Sequence, residues 1–118
     1  MKIRTKTARF TNPLYLESGR ILEPYEIIYE TYGELNVDKS NVIVVPHALT
    51  GNHHAAGRYG TEAKPGWWDK LIGDGKTIDT NKYFVVSTNN IGSCFGSTGP
   101  QSPNYPAQEP FRLNFPVL

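Results

Sequence analysis

The 118-residue sequence is poor in cysteine, in net charge and in long apolar runs, and each shortage excludes a class of protein. Its single cysteine cannot form an internal disulfide, so nothing in the composition indicates secretion. A formal net charge of +1 offers no basic surface for nucleic acid or for an anionic membrane. The basic amino terminus, MKIRTKTARF, lacks the apolar stretch of a signal peptide, and no apolar run approaches the length of a membrane span. We therefore expect a cytoplasmic protein that binds neither nucleic acid nor membrane.

The sequence also lacks the G-x-S-x-G turn on which many acyl-transfer enzymes carry a nucleophilic serine. Ser97 lies in a Gly-Ser-Thr-Gly stretch without that spacing, and Ser102 does not follow a strand–turn–helix pattern. Cys94 could be a nucleophile only if a histidine activated it, and nothing in the sequence places one beside it. We expect Cys94 to be a neutral thiol packed in the glycine-rich loop around it.

The most informative segment that is present is VIVVPHALTGNHHAAG, residues 42–57. Four β-branched residues, Val42–Val45, predict a short strand buried on both faces, as in the middle of a parallel sheet. The strand leads into His47–Gly51, a loop of small residues that leaves backbone N–H groups at the carboxyl end of the strand, where open α/β sheets bind ligands. In acyl-transfer enzymes an N–H on the loop after the third strand forms half of an oxyanion hole. The sequence therefore indicates part of such a site.

The remaining pattern predicts one domain, residues 1–118, with little helix. Strands are predicted at Leu14–Glu17, Tyr25–Tyr32, Asn41–Pro46 and Lys82–Thr88. The first two of these are expected to form an antiparallel pair. Trp67–Ile72 is predicted to form one or two helical turns, and Gly92–Pro116 a long irregular loop.

Several longer motifs follow the loop in a fixed order. They are PGWWDKLIG (65–73), GKTIDT (75–80), KYFVV (82–86) and NIGSCFGSTGP (90–100). With HALTG (47–51) ahead of them, they resemble the homoserine O-acetyltransferase family, the α/β-hydrolase-fold acyltransferases of methionine biosynthesis. The resemblance covers the chain from about Pro13 to Val117 and matches only the amino-terminal portion of such an enzyme.

The resemblance implies the fold, an α/β fold that is the amino-terminal part of an α/β-hydrolase fold. Strands 1–4 of a mixed, mostly parallel sheet would be present, and the chain would end before the nucleophile turn. It implies a ping-pong reaction in which a serine takes the acetyl group from acetyl-CoA and passes it to L-homoserine, with a histidine as base and an aspartate orienting it. Serine, histidine and aspartate all belong to the carboxyl-terminal portion, so this chain alone is expected to be inactive.

Site residues follow from the same resemblance. The backbone N–H of Leu49 is assigned to the oxyanion hole. Gly51, Asn52, His53 and His54 are assigned to the wall of the acyl pocket. His47 is expected to brace the loop rather than act as a base. No metal site is expected, because the adjacent pair His53–His54 has no third ligand at the spacing of a zinc site. Trp67 and Trp68 are expected to be packing residues, although one of them could line the approach to the acyl site.

No cofactor is expected, since acetyl-CoA is a substrate. The partners implied are acyl-CoA and L-homoserine, with a homodimer for the full-length protein. Related possibilities are a homoserine or serine O-succinyltransferase or a serine O-acetyltransferase of the same fold. A non-catalytic binding module and one half of a split enzyme also remain open.

A missing fifth strand would leave Val42–Val45 as an unpaired edge of the sheet. Such uncharged, β-branched edges recruit other chains. We expect the isolated chain to be marginally stable, self-associating or partly molten, and a lysine in place of Ile43 to improve its solubility.

Overall fold

Short β-strands make up nearly all the regular structure of the computed structural model, which describes residues 1–104 and 108–118. The strands are β1 (Ile3–Phe10), β2 (Leu14–Tyr15), β3 (Ile21–Leu22), β4 (Tyr25–Tyr32), β5 (Val42–Pro46), β6 (Ile72–Gly73), β7 (Ile78–Asp79), β8 (Phe84–Thr88), β9 (Pro103–Asn104) and β10 (Glu109–Pro110). Arg112–Asn114 forms a 3-10 turn. Within the described ranges no helix is long and apolar enough to cross a membrane.

A four-stranded mixed sheet positions the candidate site, with the strand order β1-β4-β8-β5. β4 runs antiparallel to β8, with Tyr32 opposite Val85. β5 runs parallel to β8, with Val44 opposite Val86. The predicted third and fourth strands are therefore neighbours, as expected. In the part of the chain that the structure describes, no strand pairs with the other side of β5, so the predicted free edge is present.

The predicted pairing of Leu14–Glu17 with Tyr25–Tyr32 is wrong. Leu14 and Tyr15 instead pair with Leu22 and Ile21 in a small hairpin. The hairpin closes locally, because the N–H of Leu16 bonds to the carbonyl of Arg20 across a turn that contains Gly19 at a φ of 83°. A turn this short leaves β4 free to pair elsewhere, and its neighbours are β1 and β8.

β1 was not among the predicted strands. Its sequence, IRTKTARF, carries three basic residues and reads as a polar terminus. At the edge of a sheet, charged side chains can point to solvent without cost and discourage further pairing. The strand is mostly exposed beyond its first two residues, as this position allows.

β5 is not buried on both faces, contrary to the prediction. Val45 is buried and Ile43 packs against the core, but Val42 and Val44 are 44% and 61% exposed. The outer face of the strand has no covering layer among the described residues, so the β-branched run has one buried face only. Because Ile43 packs against the core and Val44 faces solvent, Val44 is the better position for a solubilising lysine.

The other local predictions agree with the structure in part. Residues 67–71 form the predicted turn, in which the N–H groups of Leu71 and Ile72 both bond to the carbonyl of Trp68. Most of 92–116 is turns and bends, with the two-residue ladder of β9 and β10 inside it. Residues 105–107 of that predicted loop lie outside the described residues.

The chain forms two units. The first consists of Met1–Lys6 and Tyr29–Thr88, and the second of Thr7–Ile28 and Asn89–Leu118. The core of the first unit contains Tyr32, Val45, Ala55, Ala56, Ile72 and Val85. Leu22 and Phe111 are buried in the second unit. The first unit contains every residue assigned to a site from the sequence.

Candidate functional site

The loop after β5 is closed by its own backbone. The N–H of Gly51 donates to the carbonyl of Ala48 at 2.9 Å, and Nδ1 of His47 lies 2.6 Å from the same oxygen. A Cβ on Gly51 would lie 2.9 Å from the Cβ of His47, closer than real side chains pack, so glycine suits this position. His47 thus braces the loop, as predicted.

Leu49 lies at the tip of this loop, and its side chain is 98% exposed. No hydrogen-bond acceptor for its backbone N–H occurs within residues 1–104 and 108–118. A loop N–H without an internal partner can donate to a ligand, which is the property that an oxyanion donor needs.

An apolar cleft of about 460 Å³ adjoins the loop. Its lining residues are Pro46, Ala48, Thr50, Gly51, Trp67 and Trp68. The two indole rings lie 5.3 Å apart and are 39% and 41% exposed. The two tryptophans pack on each other, as expected, and both also line this cleft, whereas the prediction allowed for one of them. None of the lining side chains that the structure describes is charged, so the cleft suits an uncharged, largely apolar group.

Of the four predicted pocket residues, Gly51 lines the cleft. The other three, Asn52, His53 and His54, are not among its described lining residues. Asn52 supports the wall from behind, because its carbonyl accepts a hydrogen bond from Nε1 of Trp67 at 2.9 Å. The side-chain oxygen of Asn52 accepts from the N–H of His54 at 2.8 Å. The carbonyl of His53 lies 3.3 Å from the hydroxyl of Tyr32. Contact of Asn52, His53 and His54 with an acyl group stays a prediction.

His54 points to a carboxylate that sequence reasoning missed. Glu30 is fully buried on β4, and His54 donates to it from Nδ1 at 2.9 Å. Thr5 and Tyr59 donate to the other carboxylate oxygen at 3.0 and 2.5 Å, and Tyr32 donates to the same oxygen as His54. The ring of Tyr59 stacks on the imidazole of His54, with the centroids 4.0 Å apart. We call these five side chains the Glu30 cluster.

Three of the four donors determine the ionisation of Glu30. Burial raises the pKa of Glu30, but the hydrogen bonds from Tyr32, Tyr59 and His54 outweigh it and bring the pKa below its usual value. Burial, together with the neighbouring carboxylate, raises the pKa of Tyr32 and of Tyr59. Glu30 is therefore a carboxylate that only accepts, and both tyrosines keep their protons.

A sequence signal for this cluster did exist. In YEIIYETY, Glu30 and Tyr32 are two residues apart and so lie on the same face of the strand. A glutamate in a strand next to a buried core needs partners, because an unpaired buried charge is costly. The partners come from β1 and from the segment after the loop, which only the tertiary structure brings together.

Of the other candidate nucleophiles, Ser97 and Ser102 make structural hydrogen bonds, and Cys94 is exposed. The hydroxyl of Ser97 is buried, accepts from the N–H of Ile28 at 3.0 Å and donates to the carbonyl of Asn89 at 2.6 Å. Ser102 accepts a hydrogen bond from the N–H of Gly99. Cys94 is exposed, so the prediction that it packs in its loop is wrong. Among the described residues, no group of three His, Cys, Asp or Glu side chains could hold a metal ion.

Comparison with known proteins gives close relatives for the whole chain. A homoserine O-acetyltransferase of Nautilia profundicola is 71% identical over 119 residues, which cover 100% of this chain and 32% of the relative. A homoserine O-succinyltransferase of Pseudomonas putida is 56% identical and is covered to 31%, with 98% of this chain aligned. No model of a protein family matches.

The crystal structure of a homoserine O-acetyltransferase from Bacillus anthracis superposes with a TM-score of 0.90 at 38% sequence identity. The match covers 100% of this chain and 33% of that one. The chain thus spans about a third of the length of the curated relatives it matches. The resemblance and the predicted fold, the amino-terminal part of an α/β-hydrolase fold, are confirmed.

Proposed function

We propose that this chain, which matches the amino-terminal third of homoserine O-acetyltransferases, provides the oxyanion loop and part of the acyl pocket for acetyl transfer to L-homoserine. The acetyl donor in this proposal is acetyl-CoA, which is a substrate, and no cofactor takes part. The serine, histidine and aspartate that the resemblance implies belong to the remaining two thirds of the length of such an enzyme.

One observation carries the proposal. The N–H of Leu49 has no acceptor within the described residues, and the residues on both sides of it, Ala48 and Thr50, line an uncharged cleft. When a nucleophile attacks a thioester carbonyl, the oxygen becomes negative and gains from a fixed N–H donor. An apolar surround strengthens that interaction, because little water competes for the oxygen.

Each part of the loop has a role in this chemistry. Leu49 donates to the oxyanion, Gly51 and His47 hold the loop closed, and the two tryptophans exclude water from the acyl group. The second donor, the amide after the nucleophilic serine, comes from the remainder of the enzyme. Because the oxygen of the same acyl group becomes negative both when serine expels coenzyme A and when homoserine expels serine, one loop serves both half-reactions.

Succinyl transfer is the second candidate, and the 56% identical succinyltransferase of Pseudomonas putida favours it. Two features favour acetyl instead. The homoserine O-acetyltransferase of Nautilia profundicola is more similar, at 71% identity. The lining of the cleft holds no cation for the free carboxylate of a succinyl group, and an unpaired carboxylate in an apolar cleft is unfavourable.

A chimera tests the proposal. Residues 1–118 replace the corresponding amino-terminal third of the Nautilia profundicola relative, which supplies the other two thirds. We expect coenzyme A release from acetyl-CoA that depends on L-homoserine, and much slower release from succinyl-CoA. The unmodified relative is the control. A folded chimera without homoserine-dependent turnover would contradict the proposed function, and faster use of succinyl-CoA would select the second candidate.

The full-length enzyme is further proposed to be a cytoplasmic homodimer, as the resemblance implies. Light scattering of the chimera after size-exclusion chromatography measures its mass, and a mass of one chain would contradict the dimer.

A further inference from the structure

We infer that the hydroxyl of Tyr32, held in one orientation by the carboxylate of Glu30, is a positioning group that sets the tryptophan wall of the cleft. This inference rests on the proposed function of the cleft. It assigns a role to the Glu30 cluster, which neither the oxyanion loop nor the acyl pocket as described above requires.

The hydrogen bonds of the Tyr32 hydroxyl fix the direction in which its proton points. A hydroxyl has one proton and two lone pairs. The proton goes to Glu30, and the two lone pairs accept the backbone N–H groups of Ala55 and Ala56 at 2.8 and 3.1 Å. The carbonyl of His53, at 3.3 Å, can share the proton only weakly. Because Glu30 accepts the proton of Tyr32, the lone pairs of the hydroxyl oxygen face the N–H groups of Ala55 and Ala56 and hold them in place.

Glu30 can direct that proton because its carboxylate is saturated. Its two oxygens receive four hydrogen bonds, from Thr5, Tyr59, Tyr32 and His54. A carboxylate offers about four acceptor positions and no donor. Every group facing it must therefore donate, and the lone pairs of Tyr32 must face the peptide.

The Ala55–Ala56 peptide in turn holds the side of the cleft that Trp67 and Trp68 form. The N–H of Trp68 donates to the carbonyl of Ala55 at 2.7 Å, and the N–H of Trp67 to the carbonyl of His54 at 3.3 Å. Gly66 packs directly on the Ala55–Ala56 peptide, since a Cβ there would overlap the carbonyl carbon of Ala55 and the nitrogen of Ala56. A shift of residues 54–56 must therefore move the backbone of both tryptophans.

A matched set of Tyr→Phe variants tests this chain of contacts. Tyr32→Phe and Tyr59→Phe each remove one hydrogen bond to Glu30, but only Tyr32→Phe removes the acceptor for the two amides. Tyr15→Phe, at an exposed tyrosine of β2, controls for the substitution itself. Each variant is made in the chimera and in the 118-residue chain.

We expect Tyr32→Phe to lower kcat/KM for acetyl-CoA by roughly 10- to 100-fold, mainly by raising KM, because a misplaced wall weakens substrate binding and alignment. Tyr59→Phe should cause a clearly smaller loss, and Tyr15→Phe none. In the 118-residue chain Trp67 and Trp68 are the two tryptophans, so their emission reports on the wall directly. Tyr32→Phe should shift this emission, and Tyr59→Phe should shift it less.

Equal effects of Tyr32→Phe and Tyr59→Phe on KM and on emission would overturn the inference. If Tyr32→Phe does not fold, Glu30→Leu decides instead, since it keeps the Tyr32 hydroxyl and removes both oxygens that could accept its proton. A raised KM and a shifted emission in Glu30→Leu support the inference, and unchanged values overturn it. An inactive chimera before any substitution contradicts the proposed function, whereas the emission test in the 118-residue chain still decides the role of Tyr32.

Discussion

At the scale of the residue, the important groups in this protein are backbone atoms and the proton of a hydroxyl. In the proposed function Leu49 acts through its backbone N–H, and its side chain is almost fully exposed. Glu30 matters through the donors that it orients, and it lies outside the cleft. Residue type alone would rank both of them low as candidates, because leucine is chemically inert and a glutamate in a strand is usually solvated.

The backbone assignment of Leu49 predicts a contrast between two changes in the chimera. Leu49→Ala keeps the N–H and should change kcat/KM by less than about threefold, whereas deletion of Leu49 should lower kcat by roughly 100- to 1000-fold, the usual effect of losing an oxyanion donor. Steady-state kinetics with acetyl-CoA measure both. Equal losses would mean that the leucine side chain, not the N–H, carries the effect.

The ionisation of Glu30 predicts a loss of stability in acid. Its folded-state pKa is lowered from the ordinary 4.5, so its contribution to the free energy of unfolding is complete above about pH 4.5 and is lost as the pH falls through the folded-state value. Urea unfolding of the chimera from pH 7 to pH 3 measures this loss.

Glu30→Gln cannot titrate and is the matched control for this pH dependence. It should be less stable at pH 7, and the difference from the unmodified protein should shrink below about pH 4.5. A difference that stays constant over the whole range would show that the pKa of Glu30 is the same in the folded and the unfolded protein, and would contradict this prediction.

At the scale of the element, two features govern behaviour: the free edge of β5, and the contact between residues 55–56 and the turn that carries the tryptophans. On β5 the alternation of a strand separates Ile43, which packs against the core, from Val44, which faces solvent. Because the sequence shows four β-branched residues in a row, it cannot distinguish these two faces.

The two faces of β5 predict opposite results for two lysine substitutions. Val44→Lys should reduce self-association of the 118-residue chain and change its free energy of unfolding by less than about 0.5 kcal/mol. Ile43→Lys should destabilise it by roughly 1–3 kcal/mol, since it forces a charge against the core. Sedimentation velocity and urea unfolding measure the two quantities. A chain that is already monomeric and unfolds sharply would contradict the expected edge pairing.

The contact of Gly66 predicts that even one methyl group is too large there. Gly66→Ala should cost about 1–3 kcal/mol, because the Cβ has no room against the Ala55–Ala56 peptide. Gly60→Ala is the control, since a Cβ at Gly60 meets nothing within 4 Å. Thermal unfolding of both variants in the chimera should show a lowered Tm for Gly66→Ala only. A normal Tm for Gly66→Ala would mean that the contact is looser than described.

At the scale of the whole molecule, the proposed function assigns to these 118 residues one oxyanion donor and one side of an apolar cleft. They contain no G-x-S-x-G turn, Cys94 is exposed, and the hydroxyl of Ser97 donates to the backbone carbonyl of Asn89. A donor stabilises an oxyanion only after a nucleophile has formed one.

The 118-residue chain by itself should therefore show no transfer from acetyl-CoA to homoserine above the uncatalysed rate. Detection of released coenzyme A with a thiol reagent measures this, with the chimera as the positive control. Turnover by the chain alone would contradict this prediction and make Cys94 and Ser97 candidate nucleophiles again. Cys94→Ala and Ser97→Ala would then identify which of them reacts.

The sequence by itself determined the family, the strand β5 with its loop, and Leu49 as the candidate donor. These follow from local patterns: a β-branched run, a glycine that closes a tight loop, and motifs in a fixed order. The tertiary structure decided which face of β5 is buried, that β1 joins the sheet, and that Glu30 meets donors from Thr5, His54 and Tyr59. These depend on contacts between residues far apart in the chain, and pairwise contacts of that kind leave no periodic trace in a single sequence.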